Sequence, residues 1–306
     1  MASLTRTLAI THPIVCAPMA GVAGGRLAHA VSTAGGLGMI GARGASSPEW
    51  ITEQAAIAGA GGTPFGIGLM AWVDEVDDQI DAVLALEGER RPALVSVSFG
   101  ALAAPVARLR EAGLRTACQV GNAADLAEAI DAGADVVVAR GGEGGGHGRD
   151  EVATADMLAR ALAETDRPVL AAGGIATGGD VARALAAGAA GVWCGTPFLT
   201  CVEADNTPAA RAAIVVASST TYSRVHDVAQ DLAWPREFGG RAVSTPFVRQ
   251  WAGGEDAMTA DARAEHAAGR AAGDPGYAPL YAGTGVDRLS AETDAAAVVR
   301  ALADGI

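Results

Sequence analysis

The chain has 306 residues, 35 acidic and 22 basic side chains, a formal net charge of −13, and 50% hydrophobic with 4% aromatic residues. This is a globular composition with the length of two domains or one large barrel, and its acid excess without any basic cluster excludes binding driven by counterion release from nucleic acid or anionic lipid. Because all 22 basic residues are arginine, Schiff-base aldolases, pyridoxal-phosphate enzymes and Walker-type nucleotide binders, each of which needs an amine, are excluded as well.

The N-terminal segment Met1 to Ile10 has no signal-peptide pattern, and no apolar run reaches the ~18 residues of a membrane span. Cys16, Cys118, Cys194 and Cys201 are scattered with no Cys-x-x-Cys pair. They read as reduced core residues, so a cytoplasmic protein is expected. Nothing in the sequence speaks against a homo-oligomer.

Eight short apolar runs follow in chain order: Ile14 to Met19, Leu37 to Ala42, Phe65 to Met70, Ala93 to Phe99, Arg115 to Val120, Asp135 to Gly141, Pro168 to Gly174 and Gly191 to Thr196. Their starts are about 25 residues apart, the length of a strand, a loop and a helix, and near-continuous apolar strands belong to parallel sheets covered on both faces. Ala-rich helical segments such as Ala124 to Ala132 and Asp180 to Ala187 intervene and end at Gly133 and Gly188, as helix C-termini do. The expected fold is an α/β (β/α)8 TIM barrel. From Glu203 to Tyr281 the spacing is lost, so this region reads as an additional, mostly helical domain inserted after strand eight; Ala291 to Ala303 then returns as the eighth helix. The expected partition is residues 1–202 plus 287–306 for the barrel and 203–286 for a cap over the substrate side, where Trp234, Phe238, Phe247 and Tyr281 concentrate aromatic surface.

Two glycine clusters stand at strand ends, where barrel enzymes hold their sites. Residues 140–148 contain six glycines around His147. The glycines permit close backbone approach to a ligand, and the imidazole suits proton transfer; the alternative is a flexible loop with a solvated histidine. Ala171 to Ile175 and Trp193 to Thr196 close the seventh and eighth runs, the usual phosphate-binding loops of this fold, where backbone N–H groups and the Thr196 hydroxyl can receive a dianion without lysine. The alternative there is a pair of tight turns without a ligand. The Gly66 to Ala71 match to G-x-G-x-x-A lies inside a strand and is discounted. The acidic run Asp74, Glu75, Asp77 and Asp78 begins a helix, where the macrodipole favours carboxylates, so no metal is expected.

At these residues the chain resembles the nitronate monooxygenase family, formerly called 2-nitropropane dioxygenases: Val15 to Gly21, Gly142 to Gly148, Ala171 to Ile175 and Gly195 to Leu199 match in order along the barrel, and Trp234 to Val248 with Tyr281 to Gly283 resemble the family's second domain. The same superfamily includes flavin-dependent enoyl reductases. The resemblance implies a non-covalent FMN at the C-terminal mouth of the barrel, with Ala17, Pro18 and Met19 beside the isoalloxazine and Gly145, Gly146, Gly173, Gly174, Trp193, Cys194, Gly195 and Thr196 around the ribityl phosphate. It makes His147 the catalytic histidine; Tyr281, among the aromatic residues of the expected cap, is placed in the substrate mouth. Gly68 and Arg140 stand where the family usually has asparagine and glutamine near the flavin. The implied reaction is oxidation of alkyl nitronates, or of nitroalkanes, by dioxygen to a carbonyl compound and nitrite. An FMN-dependent NAD(P)H enoyl-thioester or quinone reductase, a flavin-binding module without turnover, and a phosphosugar barrel without flavin stay open as alternatives.

Overall fold

All eight apolar runs form strands of one parallel barrel in the computed structural model, which describes residues 4–289 and 291–306. These are β1 (Ile14–Cys16), β2 (Gly38–Gly41), β3 (Phe65–Met70), β4 (Leu94–Ser98), β5 (Thr116–Val120), β6 (Val136–Arg140), β8 (Val169–Ala172) and β9 (Gly191–Cys194). Between β6 and β8 lies β7 (Gly146–Gly148), which belongs to a separate small sheet. The barrel order is β1-β9-β8-β6-β5-β4-β3-β2, and a parallel bridge between Val15 and Leu37 closes it.

Alternation along the strands divides the core in two. Val15, Leu37, Met39, Leu94, Ala117, Val136, Val138, Leu170, Ala172 and Trp193 fill the interior, joined by Leu4 and Leu8 of the first helix. Residues of opposite parity, among them Cys16, Ile67, Val97, Val137 and Cys194, pack on the surrounding helices. The helices start where the side chains of Ser47, Asn122, Thr177 and Asp294 accept from backbone N–H groups of the first turn. Two of them stop before Gly133 and Gly188, both at positive φ as expected. The terminal helix Ala295–Ala303 packs against the helices Gly25–Thr33 and Gly178–Ala186 and completes the outer ring.

The excursion after β9 opens and closes at one place: Val202 N–H donates to Thr293 O, and Thr293 N–H donates to Thr200 O. Between them lie the helices Pro208–Val215, Val225–Gln230, Pro246–Trp251 and Ala260–Ala271, but also β10 (Thr220–Ser223) and β11 (Gly239–Val243). Beside these helices the insertion contributes two strands that the sequence pattern did not suggest, since β10, β11 and β7 form a three-stranded antiparallel sheet. Neither new strand is an apolar run. β10 is half-buried throughout and β11 begins with two glycines, so their pairing comes from contact with β7 across the chain rather than from local pattern. Phe247 joins Val225, Val248 and Met258 in the insertion's own core, whereas Trp234, Phe238 and Tyr281 turn toward the barrel mouth.

Candidate active site

At the mouth, the loops after β6, β8 and β9 meet the segment 282–284 backbone against backbone. A Cβ on Gly145 would lie 2.5 Å from both the Ala282 carbonyl carbon and the Gly283 nitrogen. Gly173 and Gly174 have φ of +114° and +69°, and a Cβ on Gly173 would come within 2.5 Å of Thr154 Oγ1. Only glycine fits such positions without displacing its neighbours. Gly283 N–H donates to Thr196 Oγ1 at 2.9 Å, and Thr284 N–H to Glu143 O at 3.0 Å. Among the described residues, none accepts from the N–H groups of Gly145, Gly173, Gly174 or Gly195, which stand open to solvent in part. A cluster of unclaimed backbone donors is a seat for an anionic group such as a phosphate.

Beside this cradle the chain after β1 lies on three glycines. Gly41 backs the Met19–Ala20 peptide, Gly195 faces Met19 Sδ, and Gly68 faces Pro18, whose Cβ and Cγ would be 2.4 Å from an added Cβ. Asparagine at residue 68 would therefore displace Pro18, which gives the departure at Gly68 a steric reason. Ala17 is tied to β9 by its N–H to Cys194 O. Trp193 points into the barrel interior and Cys194 into the layer between strands and helices. Of these two, only the backbone is positioned to serve the mouth.

Arg140 is 3% exposed and turns into the glycine loop. Its Nη1 donates to Arg149 O at 2.7 Å and its Nη2 to Gly144 O at 2.7 Å and Gly146 O at 3.1 Å. Burial lowers its pKa to about 10. The glycines at 144 and 148 leave room for this guanidinium, which a Cβ at either would strike. Arg140 thus braces the loop that carries His147.

The imidazole of His147 is held on several sides. Its Nε2 is 2.9 Å from Asp227 Oδ1, with side chains 9% and 2% exposed. The indole of Trp234 stacks on it at 3.7 Å with 4° between planes, and Tyr281 stands at 5.0 Å. Trp72, Phe99 and Phe238 extend the wall, with Trp72 and Phe99 against Trp234 and Phe238 against Phe99. Phe99 holds φ of +67°, an uncommon conformation for an aromatic residue, at the end of β4. Burial, with the Asp227 carboxylate next, pushes the Tyr281 phenol well above its ordinary range. Burial lowers His226, behind this group, to about 3.

The structure therefore brings Gly145, Gly173, Gly174, Gly195 and Thr196 together, sets Ala17, Pro18, Met19 and Gly68 beside them, and places Tyr281 against His147. Gly146, at φ +73°, pairs with Arg241 in the small sheet. Sequence reasoning missed Asp227, Gly283 and Thr284. The Ala282 to Gly285 stretch repeats the small-residue character of the other mouth loops and could have signalled the last two. Asp227 lies 80 residues from His147 and had no local signal. The acidic run at residues 74–78 finds an ordinary use, as Asp77 joins Asp81 in gripping Arg108 of the next helix.

A barrel with an anion-receiving mouth and an orientated imidazole defines an enzyme site, and the chain's relatives say of what kind. The sequence profile described as nitronate monooxygenase matches residues 2–305. Nitronate monooxygenase npaC of Metarhizium robertsii is 32% identical over 95% of this chain and 90% of that protein. A (3aS,4S,5R,7aS)-5-hydroxy-7a-methyl-1-oxo-octahydro-1H-indene-4-carboxyl-CoA dehydrogenase of Mycobacterium tuberculosis is 36% identical over 64% of this chain, and the match spans only 55% of that relative's length. Among solved structures, FabK from Thermotoga maritima superposes with a TM-score of 0.85 at 30% identity over 100% of this chain and 96% of that one. Nitroalkane oxidase from Streptomyces ansochromogenes superposes with a TM-score of 0.83 at 28% identity over 99% and 97%. The chain belongs to the nitronate monooxygenase family and is an oxidoreductase. The family's proteins are flavoproteins, and the glycine cradle with its unclaimed N–H donors fits a phosphate group of a flavin.

Proposed function

We propose that the protein binds FMN at the barrel mouth and oxidises alkyl nitronates, and the nitroalkanes from which they form, with dioxygen as acceptor and a carbonyl compound and nitrite as products. The observation that carries this reading is the His147–Asp227 pair beside the glycine cradle: a proton-accepting group stands next to a seat for a phosphate. The N–H groups of Gly145, Gly173, Gly174 and Gly195 and the Thr196 hydroxyl would hold the phosphate, and the Ala17 to Met19 segment would support the ring. When bound, FMN supplies the electron transfer between substrate and dioxygen. His147 receives the α-proton of a neutral nitroalkane and hydrogen-bonds the nitro group, while Trp234, Phe99 and Phe238 keep water from the reacting carbon. The reducing compartment expected from four buried free cysteines agrees with a cytoplasmic enzyme.

The test is release of FMN on denaturation, followed by anaerobic mixing of the flavoprotein with a nitronate and, separately, with NAD(P)H. Bleaching of the flavin by nitronate supports the proposal. Bleaching by NAD(P)H alone supports instead the reductase reading, to which the indene-carboxyl-CoA dehydrogenase relative lends weight.

A further inference from the structure

We infer that His147 works through Nδ1 and that Asp227 is the positioning residue that makes it do so. The inference rests on the proposed nitroalkane chemistry for its substrate, but on geometry alone for its assignment of atoms. A carboxylate can only accept a hydrogen bond, so the 2.9 Å contact between Asp227 Oδ1 and His147 Nε2 requires the proton on Nε2. The neutral imidazole then carries its lone pair on Nδ1. No described residue engages Nδ1, and unlike Nε2 of His226 and Nδ1 of His266 it is not sealed in the interior. The Trp234 indole covers one ring face. The Nδ1 edge is what remains for a substrate.

Asp227 is suited to this work because it is buried against His147, with the Tyr281 phenol as its other near neighbour. Its Oδ2 is buried without a hydrogen-bond partner. The neighbouring Tyr281 and His226 are both held neutral, so neither neutralises the carboxylate. When the Cα–H bond of a nitroalkane breaks, its electron pair stays with the carbon and nitro group as the nitronate, and its proton goes to Nδ1. The imidazolium so formed, now protonated on both nitrogens, sits against the Asp227 carboxylate in a poorly solvated box, where opposite charges attract strongly. A nitronate supplied ready-made skips this step.

The deciding measurement is the 15N spectrum of histidine-labelled protein, assigned by comparison with His147→Gln. In the neutral ring, hydrogen is expected on Nε2 with Nδ1 bare, and the opposite tautomer overturns the inference whatever the protein's activity. In Asp227→Asn the tautomer preference should be lost and kcat/KM for a neutral nitroalkane should fall by about 10²- to 10⁴-fold, as when the carboxylate orienting a catalytic imidazole is removed. Oxidation of the pre-formed nitronate should change less than about 5-fold by the same reasoning, and Asp227→Glu should restore part of the loss. Equal losses on both substrate forms, or none, overturn it. A flavoprotein inert to nitronate and nitroalkane alike would refute the proposed function, and the spectrum would still decide the assignment of Nδ1.

Discussion

The glycine cradle and the imidazole box face one another across a single mouth but are made of different materials. The cradle is backbone, supplied by loops whose strands neighbour each other in the barrel, and it presents N–H groups that no mutation of a side chain can remove. The box is side chain, assembled from His147 on one loop and Asp227, Trp234 and Tyr281 on the insertion. The first arrangement depends on the path of the backbone, which at Gly145 and Gly173 only glycine follows without displacing its neighbours. The second depends on the identity of each member. A cofactor seat can therefore persist while the chemistry above it is retuned.

The sharpest way to break this comparison is to remove the imidazole. His147→Ala should lower nitroalkane turnover by about 10²- to 10⁴-fold, roughly 3–5 kcal/mol, and spare bound flavin and most nitronate oxidation; loss of flavin in this variant would show that box and cradle are not separable. Acid provides the next largest effect. His226 titrates near 3 in the folded protein because it is buried, against ~6.5 when unfolded. Its neutral form therefore contributes stability that is full above pH ~6.5 and lost as pH falls toward 3, by up to ~5 kcal/mol, because the unfolded chain takes up the proton first. Urea unfolding at pH 7 and pH 4, followed by tryptophan fluorescence, should show this slope, and His226→Gln should flatten it.

On the cradle side, Gly174→Asp puts a carboxylate at φ +69° among donors meant for an anion, and FMN affinity should fall by about 100-fold or more, read by equilibrium dialysis. Retained tight binding would move the phosphate seat elsewhere. Arg140→Gln should destabilise the protein by ~2 kcal/mol in denaturant unfolding, since one amide cannot replace a guanidinium bonded to three carbonyls. An unchanged unfolding midpoint would contradict the bracing role. The smallest effect belongs to Tyr281→Phe, which keeps the ring against His147 and loses only the hydroxyl. We expect KM for the nitroalkane to rise by about 2- to 5-fold with kcat nearly constant; if Tyr281→Ala is equally mild, the residue has no part in the mouth.

The same contrast explains what could be read before any coordinates were known. β3 occupies the apolar run Phe65–Met70 with both ends as expected, because a strand buried on both faces writes its burial into consecutive residues. The cradle was legible for a related reason: glycine at strand ends is a local requirement of φ and of close approach. Strands β10 and β11 were not legible, since Thr220–Ser223 is polar and half-exposed and Gly239–Val243 opens on glycine. Arg140 was expected near a flavin because it stands where the resembled family has glutamine, yet its long side chain folds back under the loop. Asp227 sits on a six-residue helix after Val225 and His226, and only the tertiary fold reveals which way it points.

That His147 belongs to β7, and β7 to the sheet of β10 and β11, bears on the order in which the enzyme comes into being. Barrel strands find partners mostly within a few dozen residues, whereas His147 is paired with Gly240, and that loop closure is entropically slow. During synthesis the barrel's first six strands can associate while the histidine still has no partner strand. The surroundings of His147 are then among the last features to form, after the insertion has been made and has docked. A nascent or truncated chain ending before Gly239 should carry all eight barrel strands and lack an ordered His147, a separation that amide hydrogen exchange at residues 146–148 would register as late protection.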